Sequence, residues 1–483
     1  MTEPLWILDD ALAAMAARLS GEARPLAGIS IDTRTLKVGD LFFAIRGEAR
    51  DGHDFVRDAL ARGAGAAVVA QDREAELEGA GPLVVVPARD GDAVLGAMRA
   101  LAAAARARTG ARIVAVTGSV GKTGTKEALR HVLCAQGATH ASVASYNNHW
   151  GVPLTLSRMP AASAFGVFEI GMNHPGEIAP LTRLVRPEIA LVTTVEPVHI
   201  EHFRALPGIA DAKGEIFGGL EPGGVAVINR DNPSFERLEA HARASRAGRV
   251  VSFGEHREAD VRAERIVLRP DLSIVDARVL GLPVTYQLGT PGRHTALNSL
   301  AVMAAVHALG ADLALAALSL AQLRPPAGRG ARTILRVGEG EALLVDESYN
   351  ANPASVRAAL ATLAGVAASG RRIAVLGDML ELGAEAPRLH RDLAQAVDEH
   401  GIDLVFTAGP GMQELFDALP AGARGACAAA ASDLVGTVLS ALRPGDAVMV
   451  KGSNSTRMGR IVEALKARYG GGAGQDLAVG QPG

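Results

Sequence analysis

Apolar positions along the chain fall first into mixed rhythms and then into a regular alternation. The segment "LDDALAAMAARL" at 8–19 repeats its apolar residues at helical spacing. "GISIDTRTLKVGDLFFAIRG" at 28–47 follows as strand-like runs broken by Gly and charged turns, and the Ala-rich "AVLGAMRALAAAARAR" at 93–108 predicts a helix that ends at Thr109-Gly110. From Arg112 short apolar runs alternate with helical stretches: "RIVAVTG", a helix after Lys122, "FGVFEIG", a helix after Pro175, "IALVTTV", a helix around Lys213, and "GGVAVIN". Such alternation predicts a parallel sheet covered on both faces. Residues 255–290 read as shorter strands forming an antiparallel edge. The helix "HTALNSLAVMAAVHALG" leads to "RPPAGRGAR", a Pro/Gly-rich hinge at 324–332. Beyond it "ALLVDES", "RRIAVLGD", "DLVFTAG" and "AVMVKGS" predict a second α/β sheet, and the Gly-rich tail from about 470 is expected to be disordered.

The expected fold class is therefore α/β in three domains. A small α/β unit spans 1–109, a central parallel sheet with a mononucleotide-binding loop spans 110–329, and a Rossmann-like unit spans 330–483. The length of 483 residues agrees, being too long for one core. A net charge of −3, with no basic run interleaved with aromatics, argues against a nucleic-acid partner. The N-terminus carries acids and no basic region before an apolar core, and no apolar run reaches the ~18 residues of a spanning helix, so a cytoplasmic location without membrane insertion is expected. Cys134 and Cys427 have no metal-ligand spacing and are expected to be buried small hydrophobes. Monomer is the default expectation for oligomeric state.

The chemistry centres on "VAVTGSVGKTGTKEAL", residues 114–129. A Gly-rich turn between a buried strand and a helix N-terminus presents backbone N–H groups to phosphate, while a Lys adds charge and a hydroxyl adds a Mg²⁺ ligand. Gly118, Ser119, Gly121, Lys122 and Thr123 supply these parts, and Val116 stands where the longer phosphate-loop pattern wants Gly. A nucleoside triphosphate is the expected ligand. Glu169, at the end of "FGVFE", is either a Mg²⁺ ligand or a solvated strand-end acid. His199 and His202 in "TTVEPVHIEHF" are open between structural and functional roles. Lys213 would by default extend to solvent, but buried near a cation it would favour its neutral form, which can react with carbon dioxide to give a carbamate. "VDESYNANPAS" gathers acids, Tyr349, Asn350 and Asn352 in a turn before a helix.

Together with "DTRTLKVGDLFFAIRGEARDGHDF", "NNHWGVPLTL", "PGRHTALNSLAV", "AGRGART", "GDMLELG" and "KGSNSTRM", these segments run in one order from residue 32 to 458 and resemble the Mur ligase family of ATP-dependent amide-forming enzymes. "YNANP", "GDMLELG" and "KGS" carry the most specific part. They resemble the branch that joins D-alanyl-D-alanine to UDP-N-acetylmuramoyl-tripeptide through an acyl phosphate. Sister ligases that share the ATP site, and a plain nucleotide hydrolase, are the alternatives.

The resemblance implies ATP and Mg²⁺ as cofactors and the UDP-sugar tripeptide and the dipeptide as partners. It implies that Lys122 contacts the ATP phosphates, that Thr123 and Glu169 hold one Mg²⁺, and that His199 and a carbamylated Lys213 hold a second. Asn298 would face adenine, Arg329 the phosphates, and Asp346 with Tyr349 the nucleoside or its hinge. Ser30, Thr33, Arg34 and Asp51 would line the UDP-sugar site, with Asn147, Asn148, Asn350, Asn352, Lys451 and Ser453 toward the peptide substrates. Val120, Thr295 and Glu347 depart from the family's usual residues, and the pair Asp346/Glu347 leaves open which acid faces the nucleotide.

Overall fold

The computed structural model describes residues 4–47, 50–87, 92–143, 145–197, 201, 203 and 205–470. His199, His202 and the tail beyond 470 therefore lie outside the described residues, and so do the expectations placed on them.

Three sheets follow one another along the chain. The first joins β1 (Arg18–Ser20), β2 (Gly28–Ser30), β3 (Asp40–Phe43), β4 (Ala66–Ala70) and β5 (Leu83–Val86) in the order β1-β5-β4-β3-β2, parallel except for β1. The helix Ala93–Ala107, capped by the Asp92 carboxylate, closes this unit.

The second sheet holds β6 (Arg112–Thr117), β7 (Thr139–Ala141), β8 (Phe165–Glu169), β9 (Ile189–Val192), β10 (Val225–Asn229), β11 (Arg249–Gly254), β12 (Val261–Leu268), β13 (Ser273–Val279) and β14 (Leu282–Leu288). Its order is β14-β13-β12-β11-β10-β9-β6-β8-β7. Strands β6 to β12 pair in parallel, and β12-β13-β14 form the antiparallel edge expected from residues 255–290. Strand β6 is central and its residues Ile113 to Val116 are fully buried, so it delivers the loop that follows it to the C-terminal edge of the sheet, where open α/β folds bind ligands.

The third sheet has the order β15-β16-β20-β17-β18-β19, built from β15 (Ala331–Val337), β16 (Gly340–Glu347), β17 (Arg372–Gly377), β18 (Leu404–Ala408), β19 (Arg424–Ala428) and β20 (Ala447–Lys451). Only β15 runs antiparallel.

The cysteines depart from expectation. Cys134 is exposed at the end of the helix Lys122–Cys134, and Cys427 is half-buried because β19 is an edge strand whose side chains meet solvent. Among the described residues no helix is long and apolar enough to cross a membrane.

Candidate active site

The turn after β6 is shaped by backbone needs that only Gly meets. Gly118 and Gly121 adopt φ of 149° and 85°, and a Cβ at Gly118 would overlap the Thr193 hydroxyl. A Cβ at Gly121 would stand 2.5 Å from Asn298 Nδ2, so the helix Arg293–Ala308 approaches the loop directly. The loop is held from the neighbouring strand end. Thr193 Oγ1 donates to Val120 O at 2.5 Å, Ser119 Oγ donates to Glu196 O at 3.0 Å, and Glu196 N donates back to Ser119 Oγ at 2.9 Å.

Lys122 opens the following helix with its ammonium 2.6 Å from Gly118 O, folded over the loop. Burial lowers its pKa, Glu169 opposes that, and Arg329 adds to it. Thr123, one residue on, donates to Glu169 Oε2 at 2.8 Å, and Asn147 Nδ2 donates to Glu169 Oε1 at 2.7 Å. Glu169 is 2% exposed and its hydrogen-bond partners are a hydroxyl and an amide. Lys122 faces this buried carboxylate without a hydrogen bond to it among those of the described residues, and the oxygen-rich corner fits a hard divalent cation as a closer counter-charge.

Lys213 lies in the helix Leu206–Gly214 and is 2% exposed. Burial and then the charge of Lys122 push its pKa well below the usual lysine range, and no acid among the described residues counters them. The default expectation of a solvent-directed lysine fails here, and the amine is driven toward the neutral form that a carbamate requires.

Residues from all three sheets' neighbourhoods were expected at substrate, and the structure sorts them. Ser119, Gly121, Lys122, Thr123, Asn147, Glu169, Asn298, Arg329, Tyr349, Asn350, Asn352 and Lys451 line one cavity of about 750 Å³ between the central and third units. Asp346 does not line it. Adjacent strand residues point to opposite faces, and Asp346 Oδ2 accepts from Gly328 N at 3.2 Å while Oδ1 accepts from Ser348 N and Oγ, so this acid fastens the hinge. Its neighbour Glu347 faces the cavity and sits 3.4 Å from Lys451 Nζ.

Lys451 also donates to Asn350 O at 2.9 Å, and Ser453 Oγ accepts from Leu380 N at 3.1 Å while lying 3.5 Å from Ala351 O. The three third-unit segments are thus knitted into one wall. Asn352 caps the helix Pro353–Ala364 through Ser355 N, and Asn148 Oδ1 accepts from Gly151 N at the start of the helix Gly151–Ser157, so both amides are engaged in helix starts.

In the first unit Ser30 is buried, with Oγ donating to Asp32 O, and the exposed Arg34 pairs with Asp32. Asp51 is drawn into its own unit. Against a partial burial that would raise it, His53 N and the His53 ring, with Arg46, hold its pKa at about 2, and Arg73 pairs with it at 2.6 Å.

Ser145, Thr194, Glu196, Asn229, Asp231 and Asn232 also line the cavity without having been singled out. Their signal is positional: all but Ser145 stand at or just beyond the C-terminal ends of β9 and β10, where ligands of such sheets gather.

Comparison with known proteins identifies the family. The profile described as Mur ligase middle domain matches residues 116–306, the one described as Mur ligase, glutamate ligase domain matches 332–454, and Mur ligase family, catalytic domain matches 25–109. An Escherichia coli K12 protein named UDP-N-acetylmuramoyl-tripeptide–D-alanyl-D-alanine ligase is 36% identical over 448 residues, covering 93% of this chain and 95% of its own length. This chain belongs to the Mur ligase family. A Bacillus subtilis 168 relative of the same name is 32% identical over 79% of this chain and 80% of its own. Among solved Mur ligases, a crystal structure of MurF from Acinetobacter baumannii superposes with a TM-score of 0.82 at 27% identity, covering 96% of this chain and 99% of that one. The Thermotoga maritima MurF structure in complex with ADP shares the fold, with a TM-score of 0.72 at 24% identity over 91% of this chain and 98% of that one.

Proposed function

We propose that this protein is an ATP-dependent ligase that joins D-alanyl-D-alanine to UDP-N-acetylmuramoyl-tripeptide in peptidoglycan precursor synthesis, in the cytoplasm. The observation that carries the reading is one shared cavity with the phosphate loop on one wall and the Glu347–Lys451–Asn350 wall on the other. A nucleotide hydrolase has no use for the second wall, whereas a ligase must bring an amine to the activated carbonyl there.

In this reading residues 1–109 hold the UDP-sugar, 110–329 hold ATP and 330–483 receive the dipeptide. The tripeptide carboxylate attacks the γ-phosphorus of ATP, ADP leaves, and an acyl phosphate forms. The dipeptide amine then attacks the acyl carbon, inorganic phosphate leaves, and the amine's surplus proton passes to solvent. Lys122, poised over the loop, moves from Gly118 O to phosphate oxygen as ATP binds, and Arg329 approaches the same oxygens from the hinge. Mg²⁺ held by Thr123 and Glu169, with a second at His199 and carbamylated Lys213, would offset the repulsion between carboxylate and triphosphate. The burial of Glu169 and Lys213 supports both assignments. The third unit, turning about Gly328, closes the cavity and keeps water from the acyl phosphate.

The test follows phosphate release from ATP and Mg²⁺ with the UDP-tripeptide, with and without D-alanyl-D-alanine, and the mass of the sugar nucleotide. The expected result is release that requires both substrates and a mass gain of the dipeptide less water. Release indifferent to the dipeptide would overturn the proposal.

A further inference from the structure

Lys126 has no part in the chemistry above, yet its side chain is completely buried. In the helix Lys122–Cys134 it stands three residues after Thr123, one turn below it on the same face. Its ammonium donates to Glu127 Oε1 at 2.5 Å and to Ser142 O at 2.9 Å. Ser142 begins the loop that leaves β7. Further along that loop Ser145 Oγ is 3.2 Å from Thr123 Oγ1 and accepts from Arg329 Nη2 at 3.4 Å, and Asn147 donates to Glu169. The loop is thus pinned to one helix at two levels, by Lys126 at its base and Thr123 at its crest, and it touches both oxygen donors of the cation corner.

Val143, beside Ser142, is 87% exposed, so apolar packing does not hold this end of the loop, whereas Tyr146 at the far end packs against the core; the Ser142 hydroxyl is buried without a hydrogen-bond partner among the described residues. Burying an ammonium is costly unless it is paired and hydrogen-bonded, so its two acceptors fix both its place and the loop's.

We infer that Lys126 is a positioning residue for the phosphate end of the site, acting through Ser142, Ser145 and Asn147 to hold Thr123 and Glu169 in place. The kinetic half of this inference rests on the ligase reading; the binding half needs only that nucleotide binds. Groups that orient metal ligands without touching the metal alter metal affinity by about 10–100-fold when removed.

The experiment uses the full chain as wild type, Lys126→Met and Ser145→Ala, and titrates fluorescent ADP with and without Mg²⁺. For Lys126→Met, ADP affinity in Mg²⁺ is expected to fall about tenfold and metal-free affinity to change less than twofold. The Mg²⁺ concentration for half-maximal ligation should rise by about the same factor, with KM for the UDP-tripeptide unchanged. Folded Lys126→Met with wild-type Mg²⁺ dependence, or equal losses with and without Mg²⁺, would overturn the inference. Should Lys126→Met fail to fold, Ser145→Ala decides: a shift of about threefold confined to Mg²⁺ conditions supports the loop's role, and no shift removes it. Wild type that binds ADP but does not ligate would instead defeat the functional proposal and leave the binding comparison intact.

Discussion

The first unit and the third unit meet the central domain in opposite ways. At the first joint one continuous hydrophobic cluster crosses the boundary, with Trp6, Met98 and Leu101 packed in the same core as Val152, Leu154 and Phe168. Side chains seal its rim: Trp6 Nε1 donates to Ser157 O at 2.9 Å, Arg158 to Ile29 O at 2.8 Å and Arg106 to Val185 O at 2.9 Å. The third unit keeps two cores of its own, one on each face of its sheet. Its joint is polar. Asp346 holds Gly328, Arg329 stacks 4.1 Å above the Tyr349 ring, Arg332 reaches Pro270 O, and Gly383 lies against Glu201. An apolar joint must tear open a core to move, while a polar joint beside a cavity exchanges its hydrogen bonds for water at little net cost. The first joint therefore fixes geometry and the second can open to take substrate.

Removing the site lysines of the central unit, on its side of the second joint, should give the largest effect. Lys122→Ala, and independently Lys213→Ala, should lower ligation by about 10³-fold or more, on the order of 4 kcal/mol in the barrier, while the melting temperature stays near wild type. Phosphate release and calorimetry on the same preparations would check both halves. A similar loss of stability would mean that the lysines hold the fold instead.

Breaking the first joint should show the converse. Trp6→Ala removes a nearly fully buried indole and should cost about 3–5 kcal/mol of stability, with kcat of the protein that remains folded unchanged. Urea unfolding followed by activity at low urea measures it; a large fall in kcat would show that the first joint also moves. Asp346→Asn at the hinge should act in between, lowering kcat by about tenfold and speeding proteolysis within 324–332, because the carboxylate's bonds to Gly328 N and Ser348 are weakened.

How much of this was legible follows from the range of the forces involved. The phosphate loop could be read because strand, Gly and Lys are contiguous, and the antiparallel edge because its turns are local. Strands β7 and β19 are edge strands whose residues are half-exposed or exposed, so they leave no buried apolar run to see, while β4, β5 and β11 are buried runs that the sequence reading also leaves unnamed. The choice between Asp346 and Glu347 was hidden because strand alternation shows that they face apart but not which side holds the cavity. Lys126 was hidden because its acceptor at Ser142 is supplied from across the fold, and the same residue type in the same helical pattern elsewhere extends to water. Asn148 and Asn352, expected toward the peptide substrates, give their side-chain oxygens to helix starts, and Asn352 still lines the cavity.

The smallest effect separates the two ends of the molecule by pH. In the first unit Asp51 has its pKa held at about 2 against 3.8 for the free group. A lowered carboxyl stabilises the fold above the unfolded value, and that contribution fades as pH falls from about 4 to about 2. At the second joint the buried Lys451 has its pKa lowered by burial, against the pull of Glu347. There the unfolded chain binds more protons, so stability climbs as pH rises toward the unfolded value of 10.5 and levels above it. Asp51→Asn should therefore flatten the acid limb of a melting-temperature profile and Lys451→Met the alkaline limb, each by on the order of a few degrees. The protein's own probes divide the signal, since its 2 tryptophans, Trp6 and Trp150, belong to the first and central units. Fluorescence should follow the acid limb more closely than calorimetry does, and the alkaline limb less. If both limbs appeared equally in tryptophan emission, the two joints would unfold as one, and the contrast between a fixed and an opening joint would fail.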